Sequence, residues 1–153
     1  MEKDLDALEQ AMSQLHRALS RHRRWEHIAL QAGVDLDRTS AAVLQSLARP
    51  ETSHCKLHEI AGKLGIEAAA ITRKAQLLEQ AGLLRRKADQ KDGRAYVLSL
   101  TAAGKKIATR LHNAKRRELQ AALAGWTAAD RATLARLVKK LADSLEPAAT
   151  KLQ

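Results

Sequence analysis

Residues 57–84 read "LHEIAGKLGIEAAAITRKAQLLEQAGLL", and their spacing predicts two helices around a tight corner. Ile60 and Leu64 face inward, and Ala61 is small where a second helix must cross closely. Gly65 stands where the corner favours a residue free to adopt positive φ, and Ile66 plugs it. In the second helix Ile71, Ala75 and Leu78 share one face by the three-and-four rule. The opposite face then carries Ala69, Thr72, Arg73 and Gln76. Gly82 ends this helix, with Leu83 packing back. A helix held by an apolar back, with Thr, Arg and Gln in front, can enter a DNA major groove. Arg matches the paired acceptors of guanine and Gln the edge of adenine. An amphipathic helical hairpin without any ligand has the same spacing, so the next stretch of chain carries weight.

That stretch, residues 85–101, reads "RRKADQKDGRAYVLSLT". Extended runs are expected at 83–88 and 95–100, with Tyr96, Leu98 and Leu100 alternating. Asp92-Gly93 is a strong hairpin-turn dipeptide. The hairpin puts Lys91 and Arg94 at its tip, where a thin basic finger can reach the adjacent minor groove. Asp92, two residues from Arg94, can orient that guanidinium by a paired hydrogen bond. Arg85, Arg86 and Lys87 at the base are candidates for phosphate contacts. A charged turn in isolation is usually a solvated tip; directly after a helix-turn-helix it reads as a wing.

Other helices are expected at 3–31, 37–48, 102–124 and 128–146, with those of the corner at 56–64 and 68–81. Leu5, Leu8, Met12, Leu15 and Leu19 form an apolar stripe, as do Leu134, Leu137, Val138, Leu141 and Leu145. Gly33 is a candidate C-terminal glycine, Asp37 a candidate cap, and Thr127 with Asp130 a helix-start signature. "ARPETSHCK" reads as a loop. The terminal stripes offer more apolar surface than the central module can cover, which predicts a homodimer built from both ends of the chain. The expected fold is mainly α with a small β-hairpin wing. A dimerisation helix spans 1–36, a winged helix-turn-helix DNA-binding domain 37–101, and C-terminal dimerisation helices 102–153.

The 153 residues carry a formal charge of +10, which favours anionic partners, nucleic acid first and anionic membrane second. Residues 102–126 alone hold +5, next to +4 over 56–101. With no Phe, one Tyr and two Trp, the core must come from Leu, Ala, Ile and Val, which suits packed helices. One cysteine excludes an internal disulfide and fits a reducing cytosol. No apolar run approaches a bilayer span, and the acidic, amphipathic start is unlike a signal peptide. A cytoplasmic protein without a membrane partner is expected. There is no glycine-rich phosphate loop, no Ser-His-Asp grouping and no paired carboxylates in an apolar setting, so an enzyme is not expected.

With "LHEIAGKLG…ITRKAQLLEQAGLLRR…DGRAYVLSLTAAGKKI" the chain resembles the MarR (multiple antibiotic resistance regulator) family of bacterial winged-helix transcription factors over about residues 36–107. The resemblance implies a homodimer on a pseudo-palindromic operator in double-stranded DNA, with one recognition helix per subunit in the major groove. It implies that Arg94 is the wing arginine, Asp92 its acidic partner, and Thr72 and Arg73 recognition-helix contacts. A small-molecule effector that relieves repression is a further implication; no cofactor is. Where many relatives start the recognition helix with hydroxyls, this chain has "EAAA" at 67–70, which shifts the burden to Arg73, Gln76 and the wing. The competing function is a winged-helix protein-interaction module that has lost operator binding; it would be expected to lose Arg73 and Arg94 first.

Cys55, beside His54 and Lys56, has neighbours that could lower its pKa, yet it reads as inert. His16, His22 and His27 do not line one helix face, and no spacing supports a metal site. Trp25 within "RHRRWEH" reads as a core tryptophan among solvated arginines, with an anionic effector pocket as the alternative.

Overall fold

The computed structural model describes residues 1–89 and 96–150, with side chains to residue 145. Residues 1–116 and 117–153 form separate compact units.

In the first unit, α1 (Glu2–Ser20) and α2 (His22–Ala32) replace the single helix expected over 3–31. Arg21 departs from helical backbone, with ψ 131°. Neither Pro nor Gly causes this break. Instead the carbonyls that end α1 gain guanidinium donors: Arg24 donates to Leu19 O (3.3 Å) and Arg38 to Ser20 O (3.4 Å). Beyond the break, α2 buries Ile28 and Ala32, while α1 buries nothing. Gly33, at φ 60°, ends α2, and its carbonyl accepts from Arg110 Nη2 at 2.7 Å. Trp25 Nε1 donates to Leu36 O (3.2 Å), and its ring packs against buried Ile28, Ala32, Ala41, Leu111 and Ala114, the core position expected of it.

Asp37 caps α3 (Arg38–Leu47) by accepting from Ser40 N at 3.0 Å. The expected loop after α3 contains a short strand, β1 (Cys55–Lys56), paired antiparallel as Cys55↔Leu98 and Lys56↔Val97. Two residues have no readable period, so only the partner strand reveals this element. Glu59 Oε2 then accepts from Lys56 N (2.8 Å) to start α4 (Leu57–Leu64). Gly65 turns the corner at φ 62°, and α5 comes next (Ala68–Gln80). Gly82 at φ 70° lets Leu83 N close onto Leu78 O (2.9 Å). Strands β2 (Leu84–Ala88) and β3 (Tyr96–Leu100) pair in the register Leu84↔Leu100 to Ala88↔Tyr96, giving the sheet order β1-β3-β2.

The main core joins Val43, Leu44 and Leu47 of α3, Ile60 of α4, Ile71, Ala75 and Leu78 of α5, and Leu84, Leu98 and Leu100 of the sheet. Thr101 starts α6 (Ala102–Ala122): its hydroxyl donates to Gly82 O (2.7 Å) and accepts from Gly104 N (3.0 Å). Ala108 and Leu111 of α6 are buried, so α6 belongs to the first unit's core through residue 114. In the second unit Thr127 and Asp130 cap each other at the start of α7 (Ala128–Thr150).

Candidate nucleic-acid interface

Helix α5 lies with Ile71, Ala75 and Leu78 buried and Ala69, Arg73 and Gln76 exposed, the partition its sequence predicts. Thr72 is half-buried, and its hydroxyl donates to Ala68 O (2.8 Å). Gln80, four residues beyond Gln76, extends the exposed line and was not among the expected residues; the four-residue spacing alone could have found it. Arg73, Gln76 and Gln80 make no side-chain hydrogen bond among the described residues, so their donors are free for a partner. Glu67 at the N-cap makes no side-chain capping bond. Lys74 turns from the exposed face to pair with Asp37 Oδ2 at 3.0 Å. Burial alone would raise the Asp37 carboxyl, but hydrogen bonds from Ser40 and Lys74 outweigh it and hold its pKa below the ordinary value.

At the wing base, Arg85 and Lys87 are exposed. Arg86 is not their equivalent. The period of two along β2 places it on the side of buried Leu84, where its side chain is 18% exposed. Its Nε lies 3.5 Å from Glu79 Oε2, and its guanidinium carbon 5.2 Å from the Tyr96 ring centroid. The phosphate role expected of Arg86 falls on a guanidinium that lies between Glu79 and Tyr96. Lys56 Nζ pairs with Asp89 Oδ2 at 2.7 Å, tying β1 to the chain just past the end of β2. Lys91, Asp92 and Arg94 lie outside the described residues.

Cys55 is 4% exposed inside the core rather than on a loop. Burial pushes its thiol pKa up; Lys63, not His54 or Lys56, is the cation that pulls against it, and Glu59 adds to the rise. The neighbours expected to activate Cys55 therefore do not. Among the described residues no group of three or more His, Cys, Asp or Glu is placed to hold a metal, and no helix is long and apolar enough to cross a membrane.

A model of the MarR family matches residues 36–96. The chain is 30% identical to a probable transcriptional regulator from Pseudomonas aeruginosa, with a TM-score of 0.64 over 83% of this chain and 92% of that one. The chain belongs to the MarR family. This MarR-family regulator is also 26% identical to the PcaV transcriptional regulator from Streptomyces coelicolor, solved with its natural ligand, over 84% and 89% of the two chains (TM-score 0.61). It shares the fold of MepR from S. aureus, solved as a DNA complex, at 19% identity over 88% and 97% of the chains (TM-score 0.70). No curated protein matches it. As a member of the family it is a winged helix-turn-helix transcription regulator and not an enzyme.

Proposed function

We propose that this MarR-family protein is an effector-responsive repressor that binds a pseudo-palindromic operator as a homodimer. The observation that carries the reading is the line Ala69, Arg73 and Gln76, exposed on a helix whose other face is anchored in the core. In this reading α5 enters the major groove, with Arg73 on guanine and Gln76 on adenine. Ala69 meets a thymine methyl, and Thr72 borders the same groove. Arg85 and Lys87 take phosphates, and the wing tip carries Lys91, Asp92 and Arg94 into the minor groove. Dimerisation falls to 1–36 and 102–153: the stripes of α1 and α7, from Leu5 to Leu19 and Leu134 to Leu145, are exposed in the single chain. The S. coelicolor relative solved with its natural ligand supports a small-molecule effector.

The test is footprinting on DNA upstream of the protein's own gene, at rising salt and with candidate small molecules. Two protected half-sites one helical turn apart, released steeply by salt, are expected. A protein that leaves this DNA and every duplex of a random selection unprotected at low ionic strength would be an interaction module instead.

A further inference from the structure

The reading helix and the wing are joined by one largely buried charged side chain that the proposed contacts do not use. Arg86 sits mid-way along β2, opposite buried Leu98 in the register, with its guanidinium between Glu79 in the last turn of α5 and the ring of Tyr96 at the start of β3. It therefore touches the recognition helix and both wing strands. Its Nε and Nη2 are buried without a hydrogen-bond partner among the described residues, and the Nε–Glu79 approach is an ion pair by distance only. Burying a guanidinium this way costs the fold; an apolar side chain of similar length would fill the same space without unpaired donors. What an apolar replacement lacks is direction. A guanidinium plane can lie on an aromatic face while its edge faces a carboxylate, fixing two elements at once.

We infer that Arg86 is a positioning residue: a strut that sets the angle of the wing against the recognition helix. The inference rests on the operator-binding reading. Glu79 fixes one end of the strut on the helix that reads the major groove, and Tyr96 fixes the other on the first residue of β3, where the chain returns from the tip. A tilt of the hairpin against α5 carries the tip with it, so the strut governs whether the wing reaches its groove while the recognition helix stays seated. Arg86 makes no phosphate contact of its own in this account.

The test uses the full chain and a duplex recovered from a random pool by the wild-type protein, with Kd measured across salt concentrations. Arg86→Met is expected to melt at the wild-type temperature or above it, yet to bind roughly fivefold or more weakly, up to the loss caused by Arg94→Ala. Its salt slope should lie between those of the wild type and Arg94→Ala, because only the wing's own contacts are weakened. Arg86→Lys should not restore affinity, since it keeps the charge and loses the plane. Arg86→Met combined with Arg94→Ala should bind no more weakly than Arg94→Ala alone, because both act through the wing. Rescue of affinity by Arg86→Lys, which keeps the charge and loses the plane, would identify a phosphate contact and overturn the strut. So would wild-type affinity in Arg86→Met, or losses that add with Arg94→Ala. A wild-type protein that enriches no duplex overturns the operator reading itself, whatever the variants do.

Discussion

Lys74 Nζ stands 3.0 Å from Asp37 Oδ2, so the helix proposed to read DNA is fastened to the cap of α3. The same carboxylate accepts from Ser40 N and the Ser40 hydroxyl, and both interactions end together if it is removed. Asp37→Ala is expected to destabilise the fold by about 1 kcal/mol, the usual worth of an N-cap. Lys74→Ala should cost less than about 1 kcal/mol, because the pair is partly solvated. Urea unfolding of both variants and the double variant measures this; equal stability of Asp37→Ala and wild type would remove the cap from the account.

The depressed Asp37 pKa gives the cap a pH dependence of known sign. In the unfolded chain this carboxyl holds its proton to higher pH than in the fold, so it stabilises at neutral pH. That share is present above the ordinary carboxylate range and is lost as the pH falls through it. The stability difference between wild type and Asp37→Asn should therefore shrink on acidification, read from urea midpoints at neutral and acid pH.

Gly104 lies against the backbone of the wing root, where an added Cβ would collide with the Leu83 carbonyl oxygen and meet Leu83 C at 3.0 Å. That carbonyl also accepts from Thr101 N (3.1 Å), so it cannot retreat cheaply. Gly104→Ala should cost about 1–3 kcal/mol despite the better helix propensity of alanine. A thermal melt no lower than wild type would show that α6 shifts freely.

Cys55 is buried and its thiol is held above its ordinary pKa, both of which suppress thiolate chemistry. Labelling by an aromatic disulfide should be slow in the native protein and should speed up with urea along the unfolding curve. Rapid stoichiometric labelling of native protein at neutral pH would make Cys55 a sensor candidate again.

Arg73 and Ala69 sit on the same exposed line but should fail differently. Arg73→Ala is expected to weaken operator binding by about 1–3 kcal/mol and to relax the base preference at one position. Replacing the thymine opposite Ala69 by deoxyuridine removes one methyl and should cost under about 1 kcal/mol. Competition binding on a selected duplex and its deoxyuridine version measures both, and an unchanged preference in Arg73→Ala would remove it from base reading.

The apolar stripes predict association. Leu8→Glu with Leu141→Glu places charge on stripes that are exposed in the single chain. Sedimentation should show the wild type as a dimer at micromolar concentration and the double variant as a monomer with unchanged helicity. A monomeric wild type would leave the proposed operator geometry without its two-fold axis.

The sequence by itself determined which face of α5 is buried, where Gly33, Gly65 and Gly82 turn the chain, and that a hairpin comes after the helical pair. Each is a local property: a period of 3.6 or 2, or a backbone angle that glycine adopts freely. Only tertiary structure decided the rest. At the break at Arg21, Arg24 and Arg38 cap the carbonyls of Leu19 and Ser20, and Arg38 lies eighteen residues beyond Ser20. The strand at Cys55 exists because Leu98 is its partner, and the same pairing buries the thiol that the local sequence left beside two bases. Arg86 looked like its neighbours Arg85 and Lys87 as a charge. The strand period could assign it a side, but only packing against Glu79 and Tyr96 could show what it holds, because partners distant in sequence leave no trace in a local pattern.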